Sequence, residues 1–237
     1  LGDVYKRQVY FKDEVMWLGL SGSGASFTFD GTKLVLKLKG DNIAVGDNPI
    51  DYARIAVYVD GKRVVDEMID CAEKEITVID RTENAQSVVE IIKLSESPMS
   101  AVGVEAFAEG SAEALPEKPL KIEFIGDSIT CGYGVDDEDE NHQFTTATED
   151  VTKAYAYKTA KALDAEYSMF SASGYGIISG YTEGDEPISE QTIPQFYCSY
   201  GFSRGNFAGT APQDIPWDFS KYIPQIIVIN PVSYTHL

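Results

Sequence analysis

The chain has 237 residues, enough for one large domain or two modest ones, and 43% of them are hydrophobic, which excludes a disordered chain. Nineteen basic residues against 38 acidic ones give a net charge of -19; nucleic acid and anionic membrane surfaces are therefore poor partners, since both are held by Lys and Arg. No run of about 18 apolar residues occurs, so no helical membrane span is expected.

Residues 9 to about 110 read as all-β. Short runs with partial alternation cover 15–18, 26–30, 33–39, 54–59, 75–79, 87–94 and 102–108. Turn formers separate them, among them Asp30-Gly31, Gly46-Asp47-Asn48-Pro49 and Asp60-Gly61. Asp60-Gly61 lies between two apolar runs and predicts a tight hairpin, because a two-residue primed turn needs positive φ. About seven strands without helical period predict a sandwich or jelly roll over 9–112. Residues 113–120 read as a linker stiffened by Pro116 and Pro119. Beyond it the pattern changes. Residues 120–125, 167–172 and 225–230 read as strands, and 152–165 as a helix with an apolar stripe. Strands alternating with helix predict a parallel sheet over 121–230.

The run Ile122-Glu123-Phe124-Ile125 leads directly into Gly126-Asp127-Ser128. A buried strand can deliver a reactive serine to the rim of a sheet in this way, with Gly126 leaving room for a tight path. The following Ile129-Thr130-Cys131 can begin a helix whose N–H groups face a developing oxyanion. The same three residues also suit a serine that merely caps a helix. A serine nucleophile needs a base, and the chain has two histidines, His142 and His236. His142 follows five consecutive acids, 136–140, and reads as part of a solvated loop. Cys71, Cys131 and Cys198 show no metal-ligand spacing, and Cys131 reads as a small buried side chain. Trp217 follows Pro216 in a loop-like region and is a candidate for a substrate cleft, whereas Trp17 lies in a strand and reads as core.

The block Ile122 to Gly134 resembles the first sequence block of the SGNH, or GDSL-type, hydrolases. More closely, the chain resembles carbohydrate esterase family 2, the acetyl xylan esterase-like enzymes. The likeness runs through Trp17-Leu18-Gly19-Leu20-Ser21-Gly22-Ser23-Gly24, Val59-Asp60-Gly61-Lys62, Ser171-Ala172-Ser173-Gly174-Tyr175-Gly176-Ile177 and Trp217-Asp218-Phe219. The resemblance implies an N-terminal jelly-roll domain joined to an α/β/α SGNH domain that is incomplete at its C-terminus. It implies Ser128 as nucleophile, with its own N–H in the oxyanion hole, and Gly174 as the second N–H donor. A glycine there admits close approach of the backbone, and Gly176 stays an alternative. It implies deacetylation of xylan or other acetylated sugars, an acetylated oligo- or polysaccharide as partner, and no cofactor or metal. A secreted or cell-surface location follows from that substrate class alone.

The family's Gly-x-Asn-Asp segment, whose Asn completes the oxyanion hole, follows the third strand. Asn230 ends that strand and is not that Asn. The later block with the catalytic His, and an Asp where members have one, does not follow. Residues 3–8 and 232–237 resemble the two halves of a translated adaptor, VSYTHLDVYKRQ, so His236 is set aside as laboratory sequence. The expectation is an esterase fragment that is itself poorly active. The alternative is a noncatalytic carbohydrate-binding protein.

Overall fold

The computed structural model describes residues 9–184 and 186–231. The adaptor-like segments 3–8 and 232–237 lie outside the described residues. Seven strands come first: β1 (Val9–Lys12), β2 (Val15–Leu18), β3 (Gly24–Gly40), β4 (Ala53–Val59), β5 (Lys62–Ile69), β6 (Glu73–Lys93) and β7 (Val102–Ala114). They form an antiparallel sheet in the order β1-β2-β7-β3-β6-β4-β5. Asp60 and Gly61 join β4 to β5 with φ of 50° and 78°, the left-handed pair that the hairpin required.

Two expected pairs of short strands are single long ones. Asp30-Gly31 is not a turn but a bulge inside β3, with register shifts against both β6 and β7 between Gly31 and Lys33. The bulge has a consequence for packing. Before it the inward residues are Phe27 and Phe29; after it they are Leu34, Leu36 and Leu38. One extra residue switches the parity, so both halves of β3 keep their apolar faces inward. A Cβ on Gly31 would lie 2.3 Å from the Glu109 carbonyl oxygen, so the site tolerates only glycine. β7 likewise continues to Ala114, paired to Phe27, and takes up residues 113–114 that were expected in the linker. β1 was not anticipated from the sequence.

One apolar cluster draws on all seven strands, including Val9 at one edge of the sheet and Val65 and Ile69 at the other. The sheet must therefore curl over a single core.

The second unit holds β8 (Lys121–Gly126), a one-turn helix α1 (Ser128–Cys131), α2 (Tyr155–Ala162), β9 (Glu166–Ser171) and β10 (Ile226–Asn230). Its strands are parallel in the order β10-β8-β9. α2 is shorter than the stretch expected. Asp150 accepts the Thr152 N–H and holds 151–153 as a separate 3-10 turn, while Asp164, at φ 46°, ends the run. On one face of this sheet Ile122, Phe124, Tyr167 and Met169 pack with α2 through Ala156, Tyr157 and Ala160. The same cluster takes in Ala56, Ile92 and Leu94 of the first unit, so the two units share an apolar seam. On the other face Ile125 and Phe170 pack with Leu20, Ile193 and Phe202. That cover is irregular chain and 3-10 turn among the described residues, where the expected α/β/α layering would have a helix.

Candidate active site

β8 ends at Gly126, where an added Cβ would stand 2.0 Å from Thr130 Oγ1. Only glycine lets the chain turn this sharply from strand into helix. Asp127 then caps α1, its side chain accepting the Ile129 N–H at 3.1 Å, and Ser128 opens the helix half-buried. Gly132, at φ 83°, closes it by donating its N–H to the Ser128 carbonyl. β9 runs parallel to β8 with Gly126 level with Ser171, so both loops leave on the same rim. The Ala172 N–H donates to the Gly126 carbonyl at 3.2 Å and keeps the second loop beside the first.

That second loop is a tight turn. The Tyr175 N–H donates to the Ala172 carbonyl at 3.3 Å, and Gly174 has φ 82°. Positive φ at the third residue is the type II pattern and demands glycine. Gly174 is half-buried, and its Cβ position is open apart from Tyr181 Cβ at 3.9 Å. Gly176 is buried in a bridge to Thr192, and its carbonyl accepts the Ile193 N–H. Asn230 lies level with Gly126 and donates from Nδ2 to Tyr155 Oη at 3.2 Å; that hydroxyl also meets Thr130 Oγ1 at 3.1 Å. Asn230 thus ties the end of β10 to α1 and α2.

The other candidates are placed elsewhere. His142 is exposed, with Nδ1 2.9 Å from Asp137 Oδ1. His236 lies outside the described residues. Trp217 is only 7% exposed and packs edge-to-face on Tyr200 in a cluster with Trp17 and Phe207. A ring held this way offers no open face for a sugar, which corrects its assignment to the cleft. Cys131 is buried, and burial together with the nearby Glu96 and Glu149 charges pushes its thiol well above the ordinary range. It stays protonated near neutral pH and is no nucleophile.

Beneath the serine lies a group of charged residues not anticipated from the sequence. Lys93, Glu96 and Glu149 are fully buried. Lys93 Nζ donates to the carbonyls of Ser95 and Glu96 at 2.7 and 2.9 Å. Glu149 accepts the Glu96 N–H at 2.9 Å, and Glu96 accepts the Ser173 N–H at 2.6 Å. Burial pulls Lys93 down to about 8. Burial raises both carboxyls, Glu149 well above the usual range, with the Glu96 charge adding to it. The one available signal was Lys93 and Glu96 closely following the apolar run of β6.

A raised carboxyl holds its proton in the folded state above an unfolded value of about 4.3. Unfolding free energy should therefore fall as pH rises above that value, by at most about 1.4 kcal/mol per pH unit for one group. Glu149→Gln keeps an acceptor for the Glu96 N–H but cannot titrate. Urea unfolding between pH 4.5 and 7 should show a shallower decline for this variant, and an unchanged slope would refute the protonated Glu149.

An all-β unit followed by parallel strands places a helix-opening serine and a glycine turn on one rim, where a hydroxyl can stand beside backbone N–H donors. Residues 7–119 match the family described as carbohydrate esterase 2 N-terminal. Over 213 residues, 89% of the chain, it is 30% identical to the cellulase/esterase CelE of Acetivibrio thermocellus, spanning 24% of that protein. It is 28% identical over 222 residues to an acetylxylan esterase / glucomannan deacetylase of Cellvibrio japonicus, covering 91% of the chain and 56% of that protein. The fold superposes on a family two carbohydrate esterase from Clostridium thermocellum, solved with cellohexaose. There the TM-score is 0.79 and the identity 26%, covering 98% of this chain and 66% of that one. The N-terminal unit thus matches carbohydrate esterase family 2, and over most of its length the chain is similar to acetyl xylan esterases of that family. It spans about a quarter and about half of the two curated relatives.

Proposed function

We propose that the chain carries the nucleophile and the oxyanion donors of a carbohydrate O-acetyl esterase acting on xylan or another acetylated sugar. The carrying observation is the shared rim, with Ser128 opening α1 after β8 and Gly174 in the type II turn after β9. In this reading the all-β unit that ends with β7 is a jelly-roll domain, 115–120 the linker, and 121–230 part of an SGNH α/β/α domain. Ser128 Oγ attacks the acetyl carbonyl, and its proton passes to a base. The Ser128 and Gly174 N–H groups stabilise the oxyanion. The sugar alkoxide leaves with that proton, and water then releases acetate from the acyl-serine. A cleft of about 460 Å³ lined by Ser173, Tyr175, Phe202, Arg204 and Gln213 adjoins the turn, with room and polarity for a sugar ring.

His142 is engaged by Asp137 on an exposed loop, so it is not the base in this reading, and hydrolysis by the chain alone should be slow. The test is acetate release from acetylated xylo-oligosaccharides, with and without imidazole as an external base. Imidazole should raise the rate at least about tenfold in the wild type, less than the about 10²–10⁴ usual for a positioned general base, and not in Ser128→Ala. Equal rates for wild type and Ser128→Ala would sink the assignment.

A further inference from the structure

The carboxylate of Glu96 is fully buried and enters the site from the first unit, three residues beyond β6. Its Oε2 accepts the Ser173 N–H at 2.6 Å and lies 3.8 Å from Cys131 Sγ. One oxygen thus touches both the turn that presents Gly174 and the last residue of the helix that Ser128 opens. The side chain sits in a frame held from several directions. Its own N–H donates to Glu149, its carbonyl accepts Lys93 Nζ, and the adjacent Ser97 Oγ donates to the Phe202 carbonyl at 2.6 Å.

A type II turn differs from type I chiefly in the orientation of its central peptide. In the turn 172–175 that peptide joins Ser173 to Gly174 and carries the Gly174 N–H. Were it to flip, this N–H would point away from the rim. The bond from Tyr175 N–H to the Ala172 carbonyl is common to both turn types and does not select between them. The Tyr181 N–H on the Gly174 carbonyl, at 2.8 Å, holds the far side of the turn, and Glu96 holds the near side at Ser173. Burying a carboxyl group is a poor route to stability alone, because apolar residues of similar volume commonly do as well.

We propose that Glu96 is a positioning residue, through which the first unit pins the Ala172–Ser173 peptide at the head of the turn and so restrains the next peptide, which aims the Gly174 N–H at the oxyanion. It touches neither substrate nor the reacting atoms. Its link to catalysis rests on the esterase reading above, whereas the hold on the peptide does not.

The test uses the whole chain, ¹⁵N-labelled, as wild type, Glu96→Gln and Glu96→Ala, each confirmed folded by cooperative thermal unfolding. Glutamine retains an oxygen acceptor for the Ser173 N–H, so it serves as the conservative rescue. In Glu96→Ala the Ser173 amide proton should lose its downfield shift, and exchange at Ser173 and Gly174 should speed up by about tenfold or more. Amides of β3 and β7 should stay unchanged, and Glu96→Gln should recover most of the protection. Imidazole-assisted acetate release should fall about tenfold or more in Glu96→Ala with KM little changed, and recover in Glu96→Gln. Unmoved Ser173 and Gly174 amides in a folded Glu96→Ala would overturn the proposal. So would moved amides with an undiminished Ser128-dependent rate. If Ser128→Ala left the wild-type rate intact, the esterase reading alone would fail, and the amide signals would still decide whether Glu96 holds the turn.

Discussion

Replacing Gly24 by alanine should remove the cooperative fold of the first unit. The added methyl would stand 1.7 Å from the Ile91 carbonyl oxygen and 2.8 Å from its carbon. Both are backbone atoms of β6, so no rotamer change relieves the contact. Gly24 pairs with Ile92, and the flanking Gly22 N–H and Ser23 carbonyl are bonded to Lys93, so the strands cannot separate locally without exposing a buried charge. The expected loss is at least about 3 kcal/mol, at the upper end of overpacking effects. Gly61→Ala is the control. Gly61 has φ 78° but no atom within 4 Å of its Cβ position, so only the left-handed strain of about 1–2 kcal/mol should appear. Urea unfolding of both variants measures the difference. A Gly24→Ala protein within about 1 kcal/mol of wild type would show that the β3–β6 ladder yields more than its geometry allows.

The second large effect is expected at Asp150. This fully buried carboxylate accepts Arg63 Nη2 at 2.8 Å, the Thr152 N–H at 3.0 Å and Thr152 Oγ1 at 2.6 Å. It therefore both fixes the 3-10 turn ahead of α2 and bolts that turn to β5 of the first unit. Asp150→Ala removes a cap and leaves Arg63 without its buried partner. Breaking a buried pair costs about 3–5 kcal/mol, but the Arg63 side chain is 24% exposed and also reaches Asp66, so about 2–3 kcal/mol is expected. The loss should fall on the second unit. Hydrogen exchange should speed up in β8 and β9 and hold steady in the middle of β3 and β6. A double-mutant cycle with Arg63→Ala isolates the pair. Strictly additive losses would mean that the ion pair contributes nothing of its own.

Acid acts on this seam in a known direction. Burial pushes Asp66 and Asp136 up, but both are drawn below the usual carboxylate range, Asp66 by bonds from Arg54 and then Arg63, and Asp136 by bonds from Lys153 and then Arg54. The stability they supply is fully present above the unfolded value of about 3.9 and is lost as pH falls through their lower folded values. Both sites are partly solvated, so the contribution is modest.

Local chemistry made much of the architecture legible. Asp60-Gly61 announced its hairpin because few residue pairs accept two left-handed conformations in succession. Gly126-Asp127-Ser128 announced a strand that turns into a helix, and the structure supplies the steric reason in Thr130. Short apolar runs located the strands after the linker to within a residue or so. Asp30-Gly31 misled for a definite reason. The same residues that favour a turn also favour a bulge, and only the continuous partners β6 and β7 decide that the strand goes on.

What the sequence by itself determined, then, was set by short-range rules: the all-β and parallel-stranded units, the serine at the end of β8, and a glycine where β9 gives way to a turn. What the tertiary structure decided was every contact between residues far apart in the chain. Trp217 proved to be packing material because Tyr200 and the cluster around Trp17 reach it, which its neighbours in sequence do not disclose. Lys93, Glu96 and Glu149 are charged residues that composition assigns to the surface. They are buried because the fold brings segments 53 and 77 residues apart against Glu96, where a backbone N–H replaces part of the water each carboxyl group loses and backbone carbonyls receive the Lys93 ammonium. Pairing of that kind depends on distance in space and leaves no periodic trace in the order of residues.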